Sequence, residues 1–227
     1  MNEMSSAMNI SRIENAKARN RIYALLAMGF SYPDEEGFAR TADGAYAEAL
    51  IQALNICAPD LTEFFRVDVA PGLRADVSHK DMEAAYISSF ETNMPVPSVS
   101  LYEGSHHLQG NKPELLLELK SFYRAFGLTM AESENDLEDS LTAELEFMQF
   151  LTAKQAQAED GTLEKAPYLR AQKDFLERHL AAWLPPLQAE GASKVTSPFY
   201  RALIALADQF VLFDVKAVER DVASLDM

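Results

Sequence analysis

The chain has 227 residues, with 35 Asp and Glu against 20 Lys and Arg, giving a formal charge of −15. That length supports one domain, or two closely packed halves, with a real core, and a chain 48% hydrophobic and 24% charged has an ordinary globular composition. The charge argues against nucleic acid and anionic lipid as partners and favours cationic segments, while the lone Cys57 excludes an intrachain disulfide and a Cys-rich metal site.

A first helix is expected from Ser11 to the Ser31-Tyr32-Pro33 stop, after a frayed tail at Met1 to Asn9. Its apolar run, Ile22 to Phe30, follows Lys17, Arg19 and Arg21 in the manner of a signal peptide. Glu3 and Glu14 lie upstream, however, and no small-residue cleavage site follows. It reads as a mature helix. No apolar run has the length of a bilayer span, so the expectation is a soluble, cytoplasmic protein without stable membrane insertion.

Pro33 to Gly37 reads as a turn, and Asp43 to Ala58 as a helix with Tyr46, Leu50, Ile51 and Leu54 inward. A short helix at Leu61 to Arg66 gives way to a loop at Val69 to Gly72. Ser78-x-x-Asp81 then caps a helix through Phe90. From Glu91 to Gly110 the helical period is lost, yet Met94, Val96, Val99, Leu101, Tyr102 and Leu108 are too apolar for a solvated tether. This stretch should pack against the rest.

Asn111-x-x-Glu114, with Pro113 in the first turn, opens a helix closed by Gly127. Asp136 is expected to cap the next, which ends at Asp160-Gly161. Thr162 starts a helix that stops at Leu184-Pro185-Pro186. Ser197-Pro198 opens one lasting to about Leu212, and Asp214 to Ala223 is a last short helix. No convincing strand is found; the fold reads as all-α.

The stretch Asp136 to Leu151 carries the most information. Leu137, Leu141, Leu145, Met148 and Leu151 form one apolar stripe. At about 100° per residue Glu144 falls inside it, whereas Glu146 points away and Asp139 is exposed. A carboxylate among leucines needs a partner. That partner is either an intramolecular donor or a basic group of another molecule.

Catalytic motifs are lacking. There is no glycine-rich phosphate loop or nucleophile elbow, and Cys57 has an apolar context. Glu103-x-x-His106 has the spacing of a di-iron ligand pair, but no second such pair exists. His179 and Trp183 share an apolar face and read as core.

Three stretches together resemble the TorD/DmsD/NarJ family, cytoplasmic chaperones that mature molybdenum-containing redox enzymes. They are PVPSVSL (Pro95 to Leu101), EDSLTAELEFM (Glu138 to Met148) and FLERHLAAWLPPL (Phe175 to Leu187), and the Phe199-Tyr200 helix start also fits. The resemblance implies an all-α fold of two helical subdomains, 1–90 and 112–227, joined by a hinge at 91–111. It implies no enzymatic activity but binding of the twin-arginine signal peptide and apoprotein of a molybdoenzyme catalytic-subunit precursor, until the client's cofactor is loaded. No cofactor is expected to be held stably, and molybdopterin only in passing. Ser98, Val99 and Leu101 match the hinge, Asp139 matches the Asp of an Asp-His pair, and Glu144 the first Glu of Glu-Leu-Glu-Phe-Met. With Tyr102, Glu138 and Ser140 they make the expected peptide site. Ser140 stands where the family often has His, and Ser100 where it has Tyr. A swapped homodimer would form through 91–111. Two other classes stay open at this point: a small helical regulatory or scaffolding protein that binds another basic or amphipathic helix, and an enzyme with an unfamiliar all-α site.

Overall fold

The structure is a computed structural model that describes residues 2–41, 44–74, 77–91, 98–106, 111–129 and 137–225, without the side chains of 2–10. Asp43, Met94 to Pro97, His107, Leu108 and Asp136 therefore lie outside the described residues. Within them every regular element is helical, and the one β-bridge is isolated.

The N-terminal helices are α1 (Asn2–Phe30), α2 (Glu35–Thr41) and α3 (Ala45–Cys57). Helix α1 starts upstream of Ser11, so the expected tail is helical from Asn2. Helix α2 replaces the expected turn, its first-turn Glu35 and Glu36 complementing the helix dipole. The segment after α3 stays helical through Pro59–Leu61, α4 (Thr62–Phe64), a π-helical turn at Phe65–Val69 and α5 (Ala70–Leu73). The expected loop at Val69 to Gly72 is thus a helical turn. Its glycine is needed for contact rather than for a bend: a Cβ on Gly72 would sit 2.6 Å from the Pro198 carbonyl oxygen.

Helix α6 (His79–Tyr86) begins as expected, with the Ser78 hydroxyl accepting from the Asp81 amide, and continues as a π-helical turn at Ile87–Glu91. Helix α7 (Lys112–Ala125) starts at Asn111 without a side-chain cap and stops at Gly127, whose φ of 73° suits a residue lacking Cβ. Helix α8 (Leu141–Glu159) begins five residues after Asp136, because the Ser140 hydroxyl caps it by accepting from the Ala143 amide. Leu137 consequently precedes the helix and is exposed, while Leu141, Leu145, Met148 and Leu151 are fully buried.

Helix α9 (Ala166–Phe175), a π-helical turn at Leu176–Leu180 and α10 (Ala181–Lys194) are continuous, so Pro185-Pro186 does not end the helix. Both prolines are exposed, leaving the carbonyls they free near water, while Trp183, Leu184 and Leu187 anchor the opposite side in the core. Helix α11 (Pro198–Ala223) opens at the expected Ser197 cap and runs unbroken past Leu212. Asp214 does not start a new helix, because its carboxylate is committed to another partner.

That partner is Arg19. Its Nε lies 2.5 Å from Asp214 Oδ1, and its other nitrogens donate to Gln155, Gln172 and Asp214 Oδ2. Tyr23 donates to the same carboxylate at 2.6 Å. Burial opposes the Arg19 charge, but Asp214, with Tyr23 and Asp221, outweighs it and keeps the guanidinium protonated. The cluster fastens α1, α8, α9 and α11 at one point inside the bundle.

Helix α1 packs chiefly along α8, and α11 packs on α10, α9 and α5. One hydrophobic core contains Ile22, Leu26 and Leu50 together with Leu145, Trp183 and Phe210. Residues 1–90 and 112–227 therefore share a core. No helix among the described residues is long and apolar enough to cross a membrane.

Candidate functional site

Residues 98–106 lie across the entrance of α8. Val99 donates its amide to the Ser89 carbonyl, Leu101 accepts from the Leu141 amide at 2.8 Å, and Glu103 donates its amide to the Asp139 carbonyl at 2.8 Å. Tyr102 and Ser140 form the isolated antiparallel bridge. Val99 and Leu101 are buried, and Ser98 and Tyr102 are partly exposed. Of that stretch's apolar residues, Val99 and Leu101 do pack into the core.

Beneath this strap lies a cluster of acids. Asp139, expected to be exposed, is 0% exposed, because it sits in a turn before α8 rather than on the helix's outer face. Its Oδ2 accepts from the Gly104 amide at 3.2 Å and lies 3.3 Å from Lys112 Nζ. Its Oδ1 is buried without a hydrogen-bond partner. A Cβ on Gly104 would stand 2.9 Å from Asp139 Oδ2, so only glycine permits this approach.

Glu144 is also fully buried, and its partner is intramolecular: Trp183 Nε1 donates to Oε2 at 3.0 Å. Burial, then the Glu103 carboxylate, push its carboxyl well above the usual range, against the indole donor. Burial and the neighbouring acid both favour the protonated form of Glu144. Glu103 faces His179, whose Nδ1 stands 3.0 Å from Oε2. On the other side of the ring, His179 Nε2 is 3.4 Å from Glu118 Oε1 without hydrogen-bonding geometry. His106 stacks on Trp183 and meets the Ser100 carbonyl, so it does not join Glu103 as a ligand pair. No set of three or more such side chains converges on a metal position among the described residues.

Of the sequence-derived site, Ser140 bridges Tyr102, and the residues either side of it, Asp139 and Leu141, bond the backbone of Glu103 and Leu101, while Glu144 lies one turn further along α8. Glu138 is partly buried beside them, its carboxylate 3.2 Å from Lys120 Nζ and its carbonyl accepting from Tyr123. Ser140 is a helix cap. Sequence reasoning missed Lys112 and the pairing of His179 with Glu103. The Glu103-x-x-His106 spacing did single out the right glutamate, with the wrong histidine. A separate polar recess of about 240 Å³, lined by Arg12, Gln155, Glu159, Lys165, Arg220 and Asp221 among others, shares no residue with this cluster. Cys57 borders it, but burial pushes its thiol up to about 12, so it is an inert core thiol.

The family described as the nitrate reductase delta subunit matches residues 41–189, which include the strap, the acid cluster and Trp183. The chain belongs to this family. It is the family of TorD/DmsD/NarJ assembly chaperones, not of catalysts. The chain is 53% identical over 211 residues to a perchlorate reductase assembly chaperone of Dechloromonas aromatica, covering 93% of this chain and 94% of that one. It is 34% identical to a selenate reductase assembly chaperone of Thauera selenatis, over 76% of each chain. A crystal structure of a candidate redox enzyme maturation protein from Archaeoglobus fulgidus shares the fold, with a TM-score of 0.50 at 18% identity, covering 85% of this chain and 93% of that one. The junction of strap and α8 is thus the candidate site of a delta subunit family chaperone.

Proposed function

We propose that this chain is the dedicated chaperone of a molybdenum-containing oxyanion reductase, holding the catalytic-subunit precursor in the cytoplasm until molybdopterin is inserted. The observation that carries this reading is the 53% identity, over nearly the whole of both chains, to a perchlorate reductase assembly chaperone. The client's twin-arginine signal peptide binds at the junction of residues 98–106, the start of α7 and the turn before α8. Tyr102, Ser98 and Glu138 face it, with the Asp139 carboxyl buried behind them. Val99, Leu101, Ser140 and Glu144 hold the platform, since each is buried and committed to packing, capping or the Trp183 bond. Two guanidiniums followed by an apolar segment suit carboxylates beside an aromatic ring, and the −15 charge favours their approach. Molybdopterin is cargo of the client and touches the chaperone only in passing.

The test is co-expression of the tagged chain with the catalytic subunit of a perchlorate- or selenate-type reductase from the same organism, with and without its N-terminal signal segment. Retention of the full precursor, loss of retention without the segment, and lower molybdenum content of the client when the chaperone is omitted are expected. Equal retention of both client forms, or none of either, would contradict the proposal.

A further inference from the structure

Asp139 is a buried acid with one oxygen unpartnered, and the cation that reaches it is half outside the fold. Lys112 Nζ stands 3.3 Å from Asp139 Oδ2 while its side chain remains 44% exposed. The same Nζ lies 5.6 Å from the centroid of the Tyr102 ring. Its stem passes Gly104, where an added Cβ would meet Lys112 Cδ at 3.4 Å. A carboxylate, an aromatic face and a backbone with no side chain therefore form a cradle for a cation, occupied by a flexible side chain from the first turn of α7. An ammonium is a poor match to a carboxylate whose second oxygen is empty. A planar guanidinium, with donors spaced for both oxygens and a face that stacks on aromatic rings, is a better one.

We infer that Lys112 is an internal stand-in, and that the Asp139–Tyr102–Gly104 cradle takes an arginine guanidinium of the client once Lys112 swings into solvent. This rests on the proposed binding of a twin-arginine peptide, and adds that the free chaperone is self-competed at that position. The apparent affinity of a site equals its intrinsic affinity scaled by the fraction of time it is open. A half-exposed pair of modest strength then predicts a gain of about two- to sixfold when the competitor's charge is removed.

Lys112→Met keeps the stem and removes the charge. Titrating it by calorimetry with a synthetic peptide, two adjacent arginines followed by an apolar segment, should give several-fold tighter binding than the unmodified chain. The gain should vanish with the di-glutamine peptide and on adding Asp139→Asn. Lys112→Arg, which retains a cation and guards against a folding artefact, should bind no tighter than the unmodified chain. Equal or weaker binding by folded Lys112→Met, or a gain that survives in the di-glutamine peptide, would overturn the inference. If no variant binds the peptide, the client reading fails. The cradle is then decided by acetyl-arginine amide, which should shift the Gly104 amide resonance in Lys112→Met and not in the unmodified chain; an unmoved resonance overturns it.

Discussion

Trp183 Nε1 donates to Glu144 Oε2 across 3.0 Å in the core, with both residues fully buried. This bond ties α10 to α8 beneath the strap, and it explains how a carboxyl sits on a leucine stripe. Burial and Glu103 both favour its protonated form, which still accepts from the indole through Oε2. Glu144→Gln retains an acceptor there and should cost little. Trp183→Phe strands the buried acid, and should lower stability by about 1–3 kcal/mol beyond its packing loss. Urea melts of both variants check this.

The same residue sets a pH dependence. A carboxyl raised in the fold keeps a proton that the unfolded chain has lost. Stability therefore falls as pH rises from the ordinary value of 4.5 towards the folded value, at up to about 1.4 kcal/mol per pH unit. Below 4.5 both states are protonated and the contribution is flat. Melts from pH 4.5 upward should show a decline in the unmodified chain that Glu144→Gln lacks.

Arg19 should be far more sensitive than its sequence context suggests. Arg19→Met leaves the buried Asp214 carboxyl without its guanidinium partner and with Tyr23 as its remaining side-chain donor. Breaking a buried pair by removing one partner costs about 3–5 kcal/mol. Arg19→Lys should also destabilise, since one ammonium cannot serve Asp214, Gln155 and Gln172 together. Thermal unfolding of the two variants measures this.

Client affinity should fall with salt. The surface attraction behind a −15 charge is screened within about 10 Å at 0.1 M salt. Peptide titrations across ionic strength should show a steady loss, and an affinity flat in salt would leave only apolar contacts at work.

The all-α fold was legible because helical period, caps and stops survive in the sequence: Ser78, Ser197, Gly127 and Gly161 all mark helix ends as expected. Where reading failed, a tertiary partner had overridden a local signal. Asp214 resembles a helix start until Arg19 claims it. Pro185 and Pro186 resemble a stop until Trp183 and Leu187 fix the helix on its other side. At the site, Glu144 was recognisable as a misplaced charge, but its partner lies 39 residues away. Asp139 was misread because one residue, Ser140, moves the helix start and turns the acid inward. Glu103 and Lys112 meet the cluster only through the strap's path, which no periodicity encodes.

The most direct test of the central claim is hydrogen exchange of the full chain with and without its client's signal peptide. The amides of Glu103 and Gly104, both bonded to Asp139, and those opening α7 at Lys112 to Leu119 should gain protection, while α3 and the middle of α11 stay unchanged. Peptide-dependent protection confined to α1 and α3, with residues 98–106 and α7 unaffected, would contradict it.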